Sequence, residues 1–267
     1  MTYFNSLGRR IPSEGMRVFD ETPSLFYSLK PQMNDYFEVF TRLHTYGLAG
    51  SVSQVAFKNR AEQVLETIRL DPNYSSLLRG PSIPFVASSR QPITDLGAHL
   101  EKELLRSLGM SFETAYPDFH FKSVIQGDSS LEKKITLDEH SRYDELLNAA
   151  DNGSAVGWYF PQALQEFDVD SQRRQMTELP QLSGASVCLS GGLDVVAAMV
   201  GSPGLLVNEE QYPPILCLSA YRHVDPRLVL ILKAYGPHLE FWCVTQMLTK
   251  TVTQVSEQWA GGLTVFN

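Results

Sequence analysis

The segment Ala185-Ser186-Val187-Cys188-Leu189-Ser190-Gly191-Gly192-Leu193-Asp194 runs a short apolar strand into a glycine pair, and the apolar stretch 195–200 then continues as a helix. Strand, tight turn and helix in succession mark a chain that packs helices on a sheet. A Ser-Gly-Gly turn at a helix start is also suited to holding an anion. Glycine lets backbone N–H groups approach a phosphate, the Ser190 hydroxyl adds a donor, and the helix N-terminus supplies unpaired donors with partial positive charge.

Downstream of this turn the texture is that of a meander. Apolar strands are expected at 215–221, 228–234 and 239–244, joined by turns at His223-Val224-Asp225-Pro226 and Gly236-Pro237. Connections that short suit antiparallel neighbours. A last apolar run, 263–266, follows Gly261-Gly262. Upstream, 155–160 reads as a strand buried on both faces, because Val156, Trp158, Tyr159 and Phe160 leave little polar alternation, and Pro161 is expected to stop it. A short helix over 171–179 would be capped by Asp170 and ended by Pro180. Another begins at Ser141-Arg142-Tyr143-Asp144, with the serine as cap, and ends near Asn152-Gly153.

Nearer the N-terminus, apolar side chains at spacings of three and four predict helices over 32–46, 52–70 and 94–108. In the second of these, Val55, Ala56, Val64, Leu65 and Ile68 are expected to face inward. A strand is expected at 119–125, and the run 83–87, interrupted by Pro84, is an edge strand or a loop. The resulting fold class is α+β: a mixed, largely antiparallel sheet with helices packed on it and a mainly helical N-terminal part. One compact unit over 1–267 is expected, composed of an irregular arm (1–30), a helical part (31–80) and a mixed body (81–267).

Of the 267 residues, 43% are hydrophobic and 19% charged, the balance of a globular protein with a sizeable core. The net charge of -8 argues against general nucleic-acid binding, which needs a basic surface. No run has the length of a signal-peptide core or a bilayer span, so a cytoplasmic protein without membrane association is expected. Cys188, Cys217 and Cys243 lack metal or redox spacing and read as small buried hydrophobes. The histidines are scattered without Asp, Glu or Cys at zinc-like spacing, so no metal site is predicted, and no cofactor follows from the residues. His99 reads as an ordinary helix-surface residue.

Around its glycine pair the chain resembles the loop of the ATP pyrophosphatase superfamily, Ser-Gly-Gly-x-Asp-Ser. The matching residues are Ser190, Gly191, Gly192 and Asp194, with Val195 in place of the closing serine. The resemblance implies a nucleotide- or phosphate-dependent enzyme, with Ser190, Gly191 and Gly192 cradling the anion and Asp194 as a magnesium partner. The remaining residues suggest a different class of function. The aromatic run Gly157-Trp158-Tyr159-Phe160-Pro161 can line a ligand or peptide groove, and His223 sits on a turn with Asp225 two residues away. Glu166, Asp168 and Asp170 form an acidic cluster that reads as a cap and solvated loop. No nucleophile elbow, full phosphate loop or zinc-protease motif occurs. The main expectation is therefore a binding protein for a small molecule or a protein partner, with homo-oligomerisation open if a sheet edge is unpaired.

Overall fold

The computed structural model describes residues 2–15, 18, 25–30, 35–89, 91–125, 130–208, 212–245, 248–249, 252–253 and 257–267. The arm is knit into the body: Phe4 is fully buried, Phe4 and Arg10 bridge each other, and the Arg10 N–H donates to the Ala163 carbonyl. Helix α1 (Tyr36–Thr45) starts at Asp35, whose carboxylate accepts from Phe37 N, and it ends in a Schellman turn. There Leu48 N donates to Leu43 O, Gly47 N donates to His44 O, and Gly47 takes the left-handed conformation. The expected helix start at Gln32 and Met33 lies outside the described residues. Helix α2 (Gln54–Leu70) is capped by Ser53 and buries Phe57, Ala61, Val64 and Ile68. Val55 was expected inside but is largely exposed, because it lies about 200° round the helix from Phe57, on the face opposite the buried stripe.

Strand β1 (Ile83–Ala87) is an edge strand, where Pro84 costs no ladder hydrogen bond on the open side. The helix expected over 94–108 is longer and is interrupted: α3 (Leu96–His99), a π turn (Leu100–Leu104) and α4 (Leu105–Ala115). Strand β2 (His120–Ile125) and the short β3 (Ile135–Leu137) follow. Helix α5 (Tyr143–Asp151) does not use Ser141 as a simple cap, since Arg142 intervenes in the left-handed region.

Strand β4 (Ala155–Gln165) passes through Pro161 instead of stopping there. Its neighbour in the sheet shifts register between Gly261 and Leu263, opposite this stretch, so the missing N–H falls at a β-bulge. Helix α6 (Val169–Glu178) is capped by Asp168, which accepts from Ser171 N at 2.6 Å, and not by Asp170. Strand β5 (Ser186–Leu189) leads into α7 (Gly192–Gly201), as the opening segment predicts. The expected strand 215–221 is divided into β6 (Ile215–Cys217) and β7 (Tyr221–His223). Then come β8 (Leu228–Tyr235), β9 (His238–Thr245), the two-residue strands β10 (Leu248–Thr249) and β11 (Val252–Thr253), and β12 (Trp259–Phe266).

The main sheet has eight strands in the order β1-β4-β12-β6-β8-β9-β2, with β5 also pairing β12. Only β12–β6 and β2–β9 are parallel; the other pairs are antiparallel, so the α+β, largely antiparallel reading holds. Helix α7 carries no polar face except Asp194. It lies buried between the sheet and the outer helices α1 and α4. Its last carbonyls, which have no partner within the helix, accept from Arg42 (Nη1 to Gly201 O, 3.0 Å) and Ser111 (Oγ to Val200 O, 2.9 Å). No described helix is long and apolar enough to cross a membrane.

Candidate functional site

The Ser190–Asp194 turn does stand at a helix N-terminus, but the N–H groups of Gly191, Leu193 and Asp194 are used within the chain. Asp194 accepts from Gly191 N at 2.9 Å, so the third helical residue caps the helix from inside. Gly191 has no side chain to complete the reciprocal bond, and the Tyr143 hydroxyl takes that part. It accepts from Leu193 N (2.8 Å) and Asp194 N (3.3 Å) and donates to the Asp194 carboxylate (2.7 Å). Thr264 donates to the second carboxylate oxygen. Its own oxygen therefore receives the Ser190 hydroxyl, 2.9 Å away. Burial pushes the Asp194 carboxyl above its ordinary range, opposed by the hydrogen bonds from Thr264, Tyr143 and Gly191.

The two glycines serve close packing. A Cβ on Gly191 would lie 2.7 Å from the Tyr143 ring, and one on Gly192 would lie 2.6 Å from Tyr221. Every residue from 190 to 201 is buried. A phosphate at this turn has to displace both Tyr143 and the Asp194 carboxylate and reach a segment closed to solvent.

The other residues singled out in the sequence take different places in the structure. Tyr159 comes beside the turn, because a Cβ on Gly262 would meet the Tyr159 ring at 2.2 Å and Ser190 Oγ at 2.8 Å. Its hydroxyl is buried without a hydrogen-bond partner, and burial with the nearby Asp194 charge holds its pKa far above normal. Trp158 belongs to the core: its indole N–H donates to Ala61 O at 2.8 Å and its ring meets Tyr36 edge-on. His223 lies at the end of β7, where Nδ1 accepts from Asp225 N at 2.9 Å. The Asp225 carboxylate does not hold that imidazole. Arg227 claims that carboxylate, at 2.7 Å from Nη2, and pulls its pKa down to about 2.

Glu166 and Asp168 are buried structural groups, not solvated loop residues. Glu166 pairs with Arg9, and Asp168 caps α6. All three cysteines are free and buried, and burial pushes Cys217 to about 12 and Cys243 to about 11, which keeps both as neutral thiols. Among the described residues no group of three His, Cys, Asp or Glu side chains is placed to hold a metal.

A cleft opens elsewhere, along the interrupted helix. Two adjoining hollows, of about 320 and about 410 Å³, share Ser89, His99, Lys102 and Glu103 as walls. The first extends to Ser88, Arg106 and the end of α1, and the second to Asp95. The helix is unusual here: Leu105 N reaches back five residues to Leu100 O. Such π turns often occur at functional sites. The leucines explain it. Leu100, Leu104, Leu108 and the aromatic Phe112 are buried at a strict spacing of four, which in a 3.6-residue helix drifts about 40° per step. One wider turn brings the stripe back toward the core and leaves His99 and Glu103 at its edge.

His99 Nδ1 is buried and makes no hydrogen bond among the described residues. Burial lowers the pKa of the imidazole, against the opposing charges of Glu103 and Asp151, so the neutral form is favoured. Neighbouring hydroxyls are already engaged: Ser88 donates to Gly153 O at 2.6 Å, Ser89 donates to Gln91 O, and Ser107 donates to Tyr46 O at 3.4 Å. Lys102 pairs with Glu132 at 2.8 Å. Asp95 is occupied by Ala98 N and Lys133 N. Sequence reading missed this cleft because it forms between the helix, the residues after β1 and the end of α1. The four-residue leucine spacing was its one visible trace. The chain matches no protein-family model, no curated protein and no solved structure.

Proposed function

We propose that this is a binding protein for a small polar molecule, taken up in the cleft beside His99. The carrying observation is the His99 imidazole, which stands on the wall shared by both hollows while its buried Nδ1 has no hydrogen-bond partner among the described residues. An unsatisfied polar atom in a native interior calls for a compensating group, which a ligand supplies once the ring turns that edge toward the cleft. Binding is favoured over catalysis because the two serines beside the imidazole give their protons to carbonyl oxygens, and no carboxylate bonds to Nδ1 to orient the ring. Three free, buried thiols suit a reducing compartment, which supports the cytoplasm as its location.

The test is a thermal-shift screen of metabolites against the wild type and Ser89→Trp, a variant that fills the cleft and whose folding is checked by circular dichroism. A ligand that binds only the folded state raises its apparent stability. Compounds that stabilise the wild type and lose that effect in Ser89→Trp support the reading. Stabilisation that survives in the blocked variant overturns it.

A further inference from the structure

We propose that the occupant of the cleft is a small zwitterion of the α-amino-acid type, its ammonium held between Glu103 and His99 and its carboxylate on Arg106. This rests on the cleft being the ligand site. Of the charged side chains on its walls, Lys102 and Asp95 are already committed, to Glu132 and to two backbone N–H groups. Glu103 and Arg106 remain: among the described residues neither has an ion-pair partner, and they do not pair with each other.

They stand three residues apart on one helix, about 4.5 Å of axial rise. His99 lies one turn before Glu103. The cleft therefore presents a carboxylate and a guanidinium one helical turn apart, and an α-amino acid offers the complementary charges separated by a single carbon. An ammonium has three donors, which match one carboxylate and one neutral imidazole nitrogen with one left for water. A guanidinium takes a carboxylate through two parallel bonds. The hollow that holds Arg106 is lined also by Tyr46, Leu48, Leu104 and Met110, which offer surface to an apolar side chain.

The experiment is isothermal titration of the full chain with the twenty protein amino acids. For the tightest, it is repeated with the matching amine lacking the carboxylate and the matching acid lacking the ammonium. The expected result is that an apolar amino acid binds and that both half-molecules bind at least tenfold more weakly. Arg106→Gln then weakens the amino acid at least tenfold without changing the amine, and Glu103→Gln does so without changing the acid. Failure of every amino acid, half-molecules that bind as tightly as the parent, or charge variants without effect overturn the proposal. If no amino acid binds while another compound stabilises the wild type but not Ser89→Trp, only the zwitterion is wrong. If an amino acid binds equally well to Ser89→Trp, the site itself is wrong.

Discussion

Tyr143 does for α7 what a serine or aspartate side chain does for most helices. Its hydroxyl serves three partners at once: the N–H groups of Leu193 and Asp194 and the carboxylate of Asp194. Tyr143→Phe keeps the ring against Tyr221 but leaves buried donors and a carboxylate short of a partner, a loss of about 2–4 kcal/mol. Urea denaturation measures it, and a loss below about 0.5 kcal/mol sinks this account of the turn. His99 makes a second test at this scale. Its folded pKa lies below the unfolded value of about 6.5, so the unfolded chain binds the extra proton in the window between the two. The stability it contributes is fully present above about pH 6.5 and is lost as pH falls through the folded pKa, with a slope of at most about 1.4 kcal/mol per pH unit. Measured side by side, wild type is expected to lose stability relative to His99→Gln as the pH falls from about 7 to about 5. Parallel profiles would show that the imidazole is as solvated in the folded state as in the unfolded one. Neither role is readable from composition. Tyr143 is 50 residues from the turn it caps, and His99 gains its environment from segments distant in sequence.

At the scale of elements, periodicity, caps and turn residues located the helices and placed β5 and α7, and they left 83–87 as an edge strand or a loop, which proves to be the edge strand β1. It erred where a local rule met a tertiary exception. Pro161 terminates a strand unless its missing N–H falls at a bulge, and here the register shift of the neighbouring strand supplies one. The leucine stripe of the third helix implies a single α-helix unless its four-residue spacing is taken literally, and then it implies a π turn. Gly97 shows how tightly that helix is seated: a Cβ would lie 1.8 Å from Leu131 O. In an isolated helix Gly→Ala gains about 1 kcal/mol. At this site the clash with a backbone carbonyl forces α3 away from residue 131, and overpacking of this kind costs about 1–3 kcal/mol or more. Gly97→Ala is therefore expected to lower the denaturation midpoint in urea. A raised midpoint would mean that α3 rides loosely on the 131 segment, and the cleft it lines would then not be a preformed one.

For the whole molecule, the decisive feature is where the last strand goes. Apolar residues at 263–266 are legible as a strand in the sequence, but their partners are not, because pairing depends on chain segments a hundred residues away. In the structure β12 is inserted at the centre, antiparallel to β4 and β5 and parallel to β6. Thr264 on this strand also holds Asp194, so the sheet and the buried helix share one polar joint. The glycines before it allow the insertion, since a Cβ at Gly261 would run into Gln172 at 2.4 Å. Leu263, Val265 and Phe266 are almost wholly buried. At about 1.5–3 kcal/mol per buried side chain they contribute about 5–9 kcal/mol, as much as the whole net stability of about 5–15 kcal/mol expected for a chain of this kind. Deletion of 263–267 also strips hydrogen bonds from β4 and β5 and removes the Asn267 carbonyl that Arg60 binds at 2.6 Å. The truncated chain is expected to lose its near-ultraviolet circular dichroism and its cooperative unfolding transition. Retention of both would mean that β4 and β5 close on one another without residues 263–267, and that the end of β12 is an appendage of the sheet instead of its keystone.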